Sequence, residues 1–173
     1  TITKWDVART TLEFSVTGLL SLASAGVSGR NAPNIFFSET QAFITKLSEG
    51  TIVEWNPTTM EIIKVHNVDP LPDLGVTFAF YTEQTLYQTS EGKIMMPIVF
   101  APGDCCETSK LPNPPGAMLA IFDPVAGSIE YNRDDRVLAN HSTLMPDPVD
   151  GSFYMVPNFA NSFWDPYFDL TGR

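Results

Sequence analysis

Positive charge is in short supply in this chain. Ten lysines and arginines stand against twenty aspartates and glutamates in 173 residues, a formal charge of −10, so the protein's field repels phosphate backbones and anionic lipid surfaces. Nucleic acid is therefore not an expected partner. Charged residues of either sign make up only 17% of the chain, too few for long surface helices laced by Glu/Lys pairs, and an all-α bundle is excluded. No apolar run reaches the eighteen or so residues that a membrane span requires, and Gly18 to Ala25 is too short and too rich in serine, so no membrane span is expected. The only cysteines, Cys105 and Cys106, are adjacent, so no disulfide framework ties distant segments together, and the redox compartment stays open. The two histidines, His66 and His141, have no second ligand at metal-binding spacing. A Gly-x-Ser-x-Gly elbow and a glycine-rich phosphate loop are both missing, which argues against an α/β-hydrolase and against nucleotide-dependent chemistry.

What the chain does have is turn chemistry and aromatics: 14 prolines, 11 glycines and 12 phenylalanines. Its apolar runs are four to eight residues long, rich in Ile, Val, Phe and Thr, and bounded by Gly, Pro, Asn or Asp, the pattern of many short strands. Strands are predicted near 2–7, 11–16, 34–38, 41–46, 50–55, 60–66, 76–82, 85–89, 93–100, 117–122, 128–132, 136–139 and 152–157. Long loops are predicted over 18–33, 67–74, 101–116 and 140–150, and Ser162 to Leu170 reads as a short helix or an interrupted strand. The fold class expected is all-β.

A repeat organises these strands. Trp5-Asp6 is followed by Leu12, Trp55-Asn56 by Ile62, and Phe122-Asp123 by Ile129, an aliphatic residue six positions after the Asp or Asn each time. The expected physics is an aromatic ending one strand on the buried face, an Asp or Asn capping a tight turn, and Pro57 or Pro124 fixing φ at the next position. The aliphatic residue then returns to the core. The intervals of 50 and 67 residues exceed a bare four-stranded propeller blade of about 40–50 residues, and the second can absorb the proline-rich stretch at 101–116. Trp164-Asp165-Pro166 offers a fourth copy, and an unrelated sandwich or barrel is the competing architecture.

The stretches Ser21 to Val27, Asn34 to Phe43 and Ile52 to Ile62 also resemble bacterial extracytoplasmic β-propeller proteins. These include the YVTN-like repeats and, more closely, the surface-lipoprotein propellers found beside siderophore and iron-uptake systems. Gly92 to Phe100 with Met118 to Ser128 looks like a second blade, and Asp135-Arg136 with Asp150 to Tyr154 like the opening of a third. The resemblance implies a processed, exported protein, extracytoplasmic in location, but no defined catalytic set. At blade length, residues 1–173 make one propeller segment of about three to four blades, partial at both ends. It would be an incomplete portion of a larger propeller, completed by another chain or by residues absent from this sequence, since open sheet edges are normally covered.

Three groups of residues are candidates for chemistry. Asp104, Cys105 and Cys106 lie between two strands of one expected blade, where adjacent cysteines can close a strained ring that stiffens the loop or faces a ligand. Free thiols, or metal or redox chemistry, are the other readings, and propeller alcohol dehydrogenases that use quinones resemble this in carrying a vicinal disulfide near their cofactor. Asp134, Asp135, Asp147 and Asp150 bring carboxylates to two loops, which makes calcium the cofactor to consider, against a plain solvated acidic turn. The function expected is a binding module for a small-molecule or protein ligand, in metal or siderophore handling. The alternative is part of a propeller enzyme, a metal-dependent lactonase-like hydrolase or a quinone-type oxidoreductase, with its site in the central channel. Binding is favoured over catalysis because few residues suited to catalysis are present.

Overall fold

A computed structural model describes residues 1–8, 10–27, 34–36, 38–72, 87–98, 117–134 and 141–157. The chain is all-β; among the described residues every sheet is antiparallel and two single-turn 3-10 helices lie between strands. It divides into two compact units, Thr1–Leu71 and Pro72–Arg173.

In the first unit, β1 (Ile2–Val7) and β2 (Phe14–Leu20) form a hairpin. β3 (Asn34–Phe36), β4 (Ala42–Lys46), β5 (Thr51–Asn56) and β6 (Glu61–Asn67) follow as a meander paired in sequence order. Ala42 to Thr45 of β4 are all buried, so both faces of that strand are covered. Ala42, Ile44, Val53 and Trp55 form one face of the meander, and Leu20 and Val27 close over it with Ile2, Leu22 and Ala25. Gly18 allows this close approach, because a Cβ there would lie 2.6 Å from Cγ of Met60. The Lys4 ammonium fastens the same junction by donating to the carbonyls of Pro57 at 3.0 Å and Thr58 at 3.3 Å.

In the second unit, β7 (Tyr87–Gln88), β8 (Ile94–Ile98), β9 (Ala117–Asp123) and β10 (Ser128–Asp134) form a second four-stranded meander. β8 is buried along its whole length, and the Ile94, Met96 and Ile98 row pairs with Phe122, Ala120 and Met118 of β9. A further hairpin, β11 (His141–Pro146) and β12 (Phe153–Pro157), packs the Phe153 ring edge-on against Tyr87, centroids 4.6 Å apart.

Four hairpins share one turn. In each, the N–H of the fifth residue bonds the C=O of the first, and that fifth residue is left-handed. The pairs are Leu12 to Ala8, Met60 to Asn56, Gly127 to Asp123 and Gly151 to Asp147, at 2.8 to 3.1 Å, with φ of 57°, 61°, 68° and 75° at the fifth position. Three of the four begin with Asx-Pro, where proline presets φ and the Asx oxygen accepts amide N–H groups of the turn. Asn56 Oδ1 accepts from Thr58 and Thr59, Asp123 Oδ1 from Val125 and Ala126, and Asp147 Oδ1 from Val149.

The structure moves several predicted boundaries. The strand predicted at 11–16 starts at Phe14 and runs to Leu20, because Ala8 is bonded to Leu12 and Glu13 across the turn and the chain is still paired at Gly18. The stretch 140–150, predicted as loop, carries β11, whose polar start at His141 to Thr143 concealed its pairing with β12. The strands predicted at 76–82 and 136–139, the loop at 101–116, Trp164-Asp165-Pro166 and Ser162 to Leu170 lie outside the described residues.

Candidate functional site

Two of the three predicted aromatic-Asx pairs sit in equivalent places. Trp55-Asn56 ends β5 and Phe122-Asp123 ends β9, the third strand of each meander, and both aromatics are 1% exposed. Ile62 and Ile129 are their cross-strand partners, so the six-residue spacing measures a turn and the return to the same face. The first pair differs. Trp5 and Asp6 lie within β1, opposite Val16 and Ser15, and the turn begins two residues later at Ala8. A bulge between Lys4 and Trp5 offsets the pairing. Leu12, expected to return to the core, is instead the left-handed fifth residue of the turn and is exposed.

Asp147 and Asp150 are turn residues. Asp147 Oδ1 accepts from the Val149 amide at 2.8 Å and its Oδ2 from the Tyr154 hydroxyl at 3.1 Å. Asp150 Oδ1 accepts from the Ser152 amide at 2.8 Å, and the Ser152 side chain and amide together hold its carboxyl below the usual carboxylate range. Their oxygens thus serve the β11–β12 turn. Asp134 closes β10 in another hairpin, while Asp104, Cys105, Cys106 and Asp135 lie outside the described residues. Among the described residues, no three His, Cys, Asp or Glu side chains gather as a metal site would require.

The polar cluster that the structure does bring together involves none of these. Glu54 of β5 accepts from the Gln41 amide through Oε1 at 2.8 Å and meets His66 Nε2 of β6 through Oε2 at 3.0 Å. The imidazole is buried, its ring 6.4 Å from that of Phe43, on the sheet face opposite Trp55. Register explains the meeting: Glu54 pairs with Lys64, and His66 lies one diagonal step further along the same face. A carboxylate fixed by an amide can orient an imidazole through its ring N–H. The cluster links strand β5 to β6 and to the turn before β4.

The turn alone does not disclose it: counting back from the closing pair Asn56 and Glu61 would set Glu54 against Ile63, and it is the bulge between Glu54 and Trp55 that shifts Glu54 to Lys64 and puts His66 on its face. Asp147 carried a plainer signal, because Asp123-Pro-Val-Ala-Gly127 and Asp147-Pro-Val-Asp-Gly151 differ at one position. Requiring an aromatic before the Asx hid it, since Pro146 stands there. Compared with known protein families, curated proteins and solved structures, the chain finds no match in any of the three.

Proposed function

We propose that this chain is a segment of an exported β-propeller that acts as a ligand- or protein-binding module, in metal or siderophore handling, and is completed by further strands from another chain or from additional residues. The observation that carries the reading is the pair of sequential four-stranded antiparallel meanders. In each, the second strand is buried on both faces and the third ends in an aromatic-Asx turn. A meander with both faces covered suits one layer in a series of stacked sheets, the way blades are arranged around a propeller. The resemblance of Asn34 to Phe43 and Ile52 to Ile62 to extracytoplasmic propellers falls on the first of these meanders.

Binding is the reading to test first, with Asp104, Cys105 and Cys106 as the ligand loop. A thermal-shift screen against ferric siderophores and calcium, run beside lactone-hydrolysis and quinone-dependent alcohol-oxidation assays, addresses it directly. A rise in melting temperature with a ferric siderophore, lost in Cys105→Ser/Cys106→Ser, is the expected result. Turnover in either assay would replace binding with catalysis, and no shift with any siderophore would remove the metal-handling assignment.

A further inference from the structure

Apolar exposure in the described residues is concentrated on one hairpin. Of the eleven large hydrophobic side chains that stand exposed, six belong to β1, β2 and their turn: Trp5, Val7, Leu12, Phe14, Val16 and Leu19. Register puts five of them on one face. Trp5 pairs with Val16 and Val7 with Phe14, while Leu19 faces Thr3, and Thr3, Trp5 and Val7 alternate along a single side of β1. The five are between 40% and 68% exposed. Together they present on the order of 500 Å² of apolar surface, at the upper end for a monomer's largest patch and more than half of the ~800 Å² each partner gives to a standard interface.

The hairpin's other face shows what such a surface packs against. There Ile2 and Leu20 sit on the uncharged Ala42, Ile44, Val53 and Trp55 face of a neighbouring sheet. This other face of the hairpin is covered at its Ile2/Leu20 end and continues through the exposed Lys4 and Asp6. The bare side of the hairpin carries no ionisable group, in a chain of net charge −10, so it is a place where two copies can meet without bringing like charges into contact. Among the described residues, the remaining exposed hydrophobics are scattered over β6, the β9–β10 turn and the β11–β12 hairpin. The same hairpin of another molecule offers a sheet face of like size and chemistry.

We infer that the Trp5/Val7/Phe14/Val16/Leu19 face of the β1–β2 hairpin is a self-association surface, covered in solution by the same face of a second copy in a two-fold, sheet-on-sheet contact. The inference stands on the exposed face itself, for which a further propeller blade would compete with the second copy.

Sedimentation velocity over a wide concentration range tests it on the full chain, with Trp5→Asp and Phe14→Asp as face variants and Val125→Asp, at an exposed turn position on another hairpin, as control. The expected result is a reversible monomer-dimer equilibrium, weakened at least tenfold in both face variants and unchanged in the control. Hydroxyl-radical footprinting of the unmodified chain gives an answer that does not depend on how the variants fold: Trp5 and Phe14 should become protected as concentration rises, while Tyr154 should not. A chain that stays monomeric throughout overturns the proposal. So does a dimer indifferent to both face variants, or one that leaves Trp5 and Phe14 as reactive as in the monomer.

Discussion

Trp55 and Trp5 occupy nearly the same local sequence, Trp-Asn and Trp-Asp late in a strand, yet one is 1% exposed and the other 56%. The turns that follow share their closing hydrogen bond and a left-handed fifth residue, but they begin at different distances. Asn56 opens its turn immediately after Trp55 and caps it, whereas two residues separate Trp5 from Ala8, which has no side-chain oxygen to offer. The surroundings differ as well. β5 lies inside a four-stranded sheet with the β1–β2 hairpin over its Trp55 face, while β1 is the outer layer of that same packing. A repeated local pattern therefore sets the shape of a hairpin, and the layer above it decides whether the aromatic is core or surface.

The sharpest way to break this comparison is to truncate both rings. Trp55→Ala removes a fully buried side chain and is expected to cost about 3–5 kcal/mol, whereas Trp5→Ala should cost well under half of that in dilute solution. Urea unfolding of the two variants measures the difference, and equal losses would mean that the two hairpins are equally embedded. The next effect concerns the left-handed positions. Leu12 holds φ of 57° with its side chain exposed, so Leu12→Gly should stabilise the chain by about 1 kcal/mol, while Gly127→Leu should destabilise it by a similar amount. Thermal melts of both variants would show the opposite signs.

Cap exchange gives a comparable or smaller effect. Asp123→Ala leaves two turn amides without their carboxylate acceptor and should cost about 1 kcal/mol, and Ala8→Asp, which supplies the missing cap to the first hairpin, should recover a fraction of that. The smallest effect is a pH dependence at the fourth hairpin. Asp150 is held below its ordinary range by the Ser152 side chain and amide. Its contribution is complete above the unfolded value and disappears as pH falls through the folded one, below about pH 4. Asp150→Asn should lower stability slightly above about pH 4 and leave it unchanged near pH 2, which flattens the acid limb, as melts across pH 2–7 would reveal.

The short strands and their meander order were legible because Ile, Val, Phe and Thr runs between Asx, Pro and Gly leave few alternatives to antiparallel hairpins. The equivalence of Trp55-Asn56 and Phe122-Asp123 was legible for the same reason. Trp5 was misplaced because residue spacing cannot register the bulge at Lys4/Trp5 or a turn opened by alanine. β11 was missed because Asp147-Pro148 marks where a strand ends, and the polar residues before it do not alternate. Glu54 and His66 are 12 positions apart, and their contact is a property of strand register that neither segment announces alone.

The turn at residues 57–60 is held from three directions: Lys4 binds its carbonyls, the Thr58 hydroxyl donates to the Glu39 carbonyl at 2.6 Å, and Gly18 presses on Met60. It is a junction where three segments of the chain meet. Its geometric twin at 124–127 ends in an open tip, with Val125 92% exposed. An epitope tag spliced into the first of these turns would part the hairpin from the sheet beneath it, whereas the second could receive the same peptide and display it. Two turns with one backbone thus differ in their freedom to acquire new sequence.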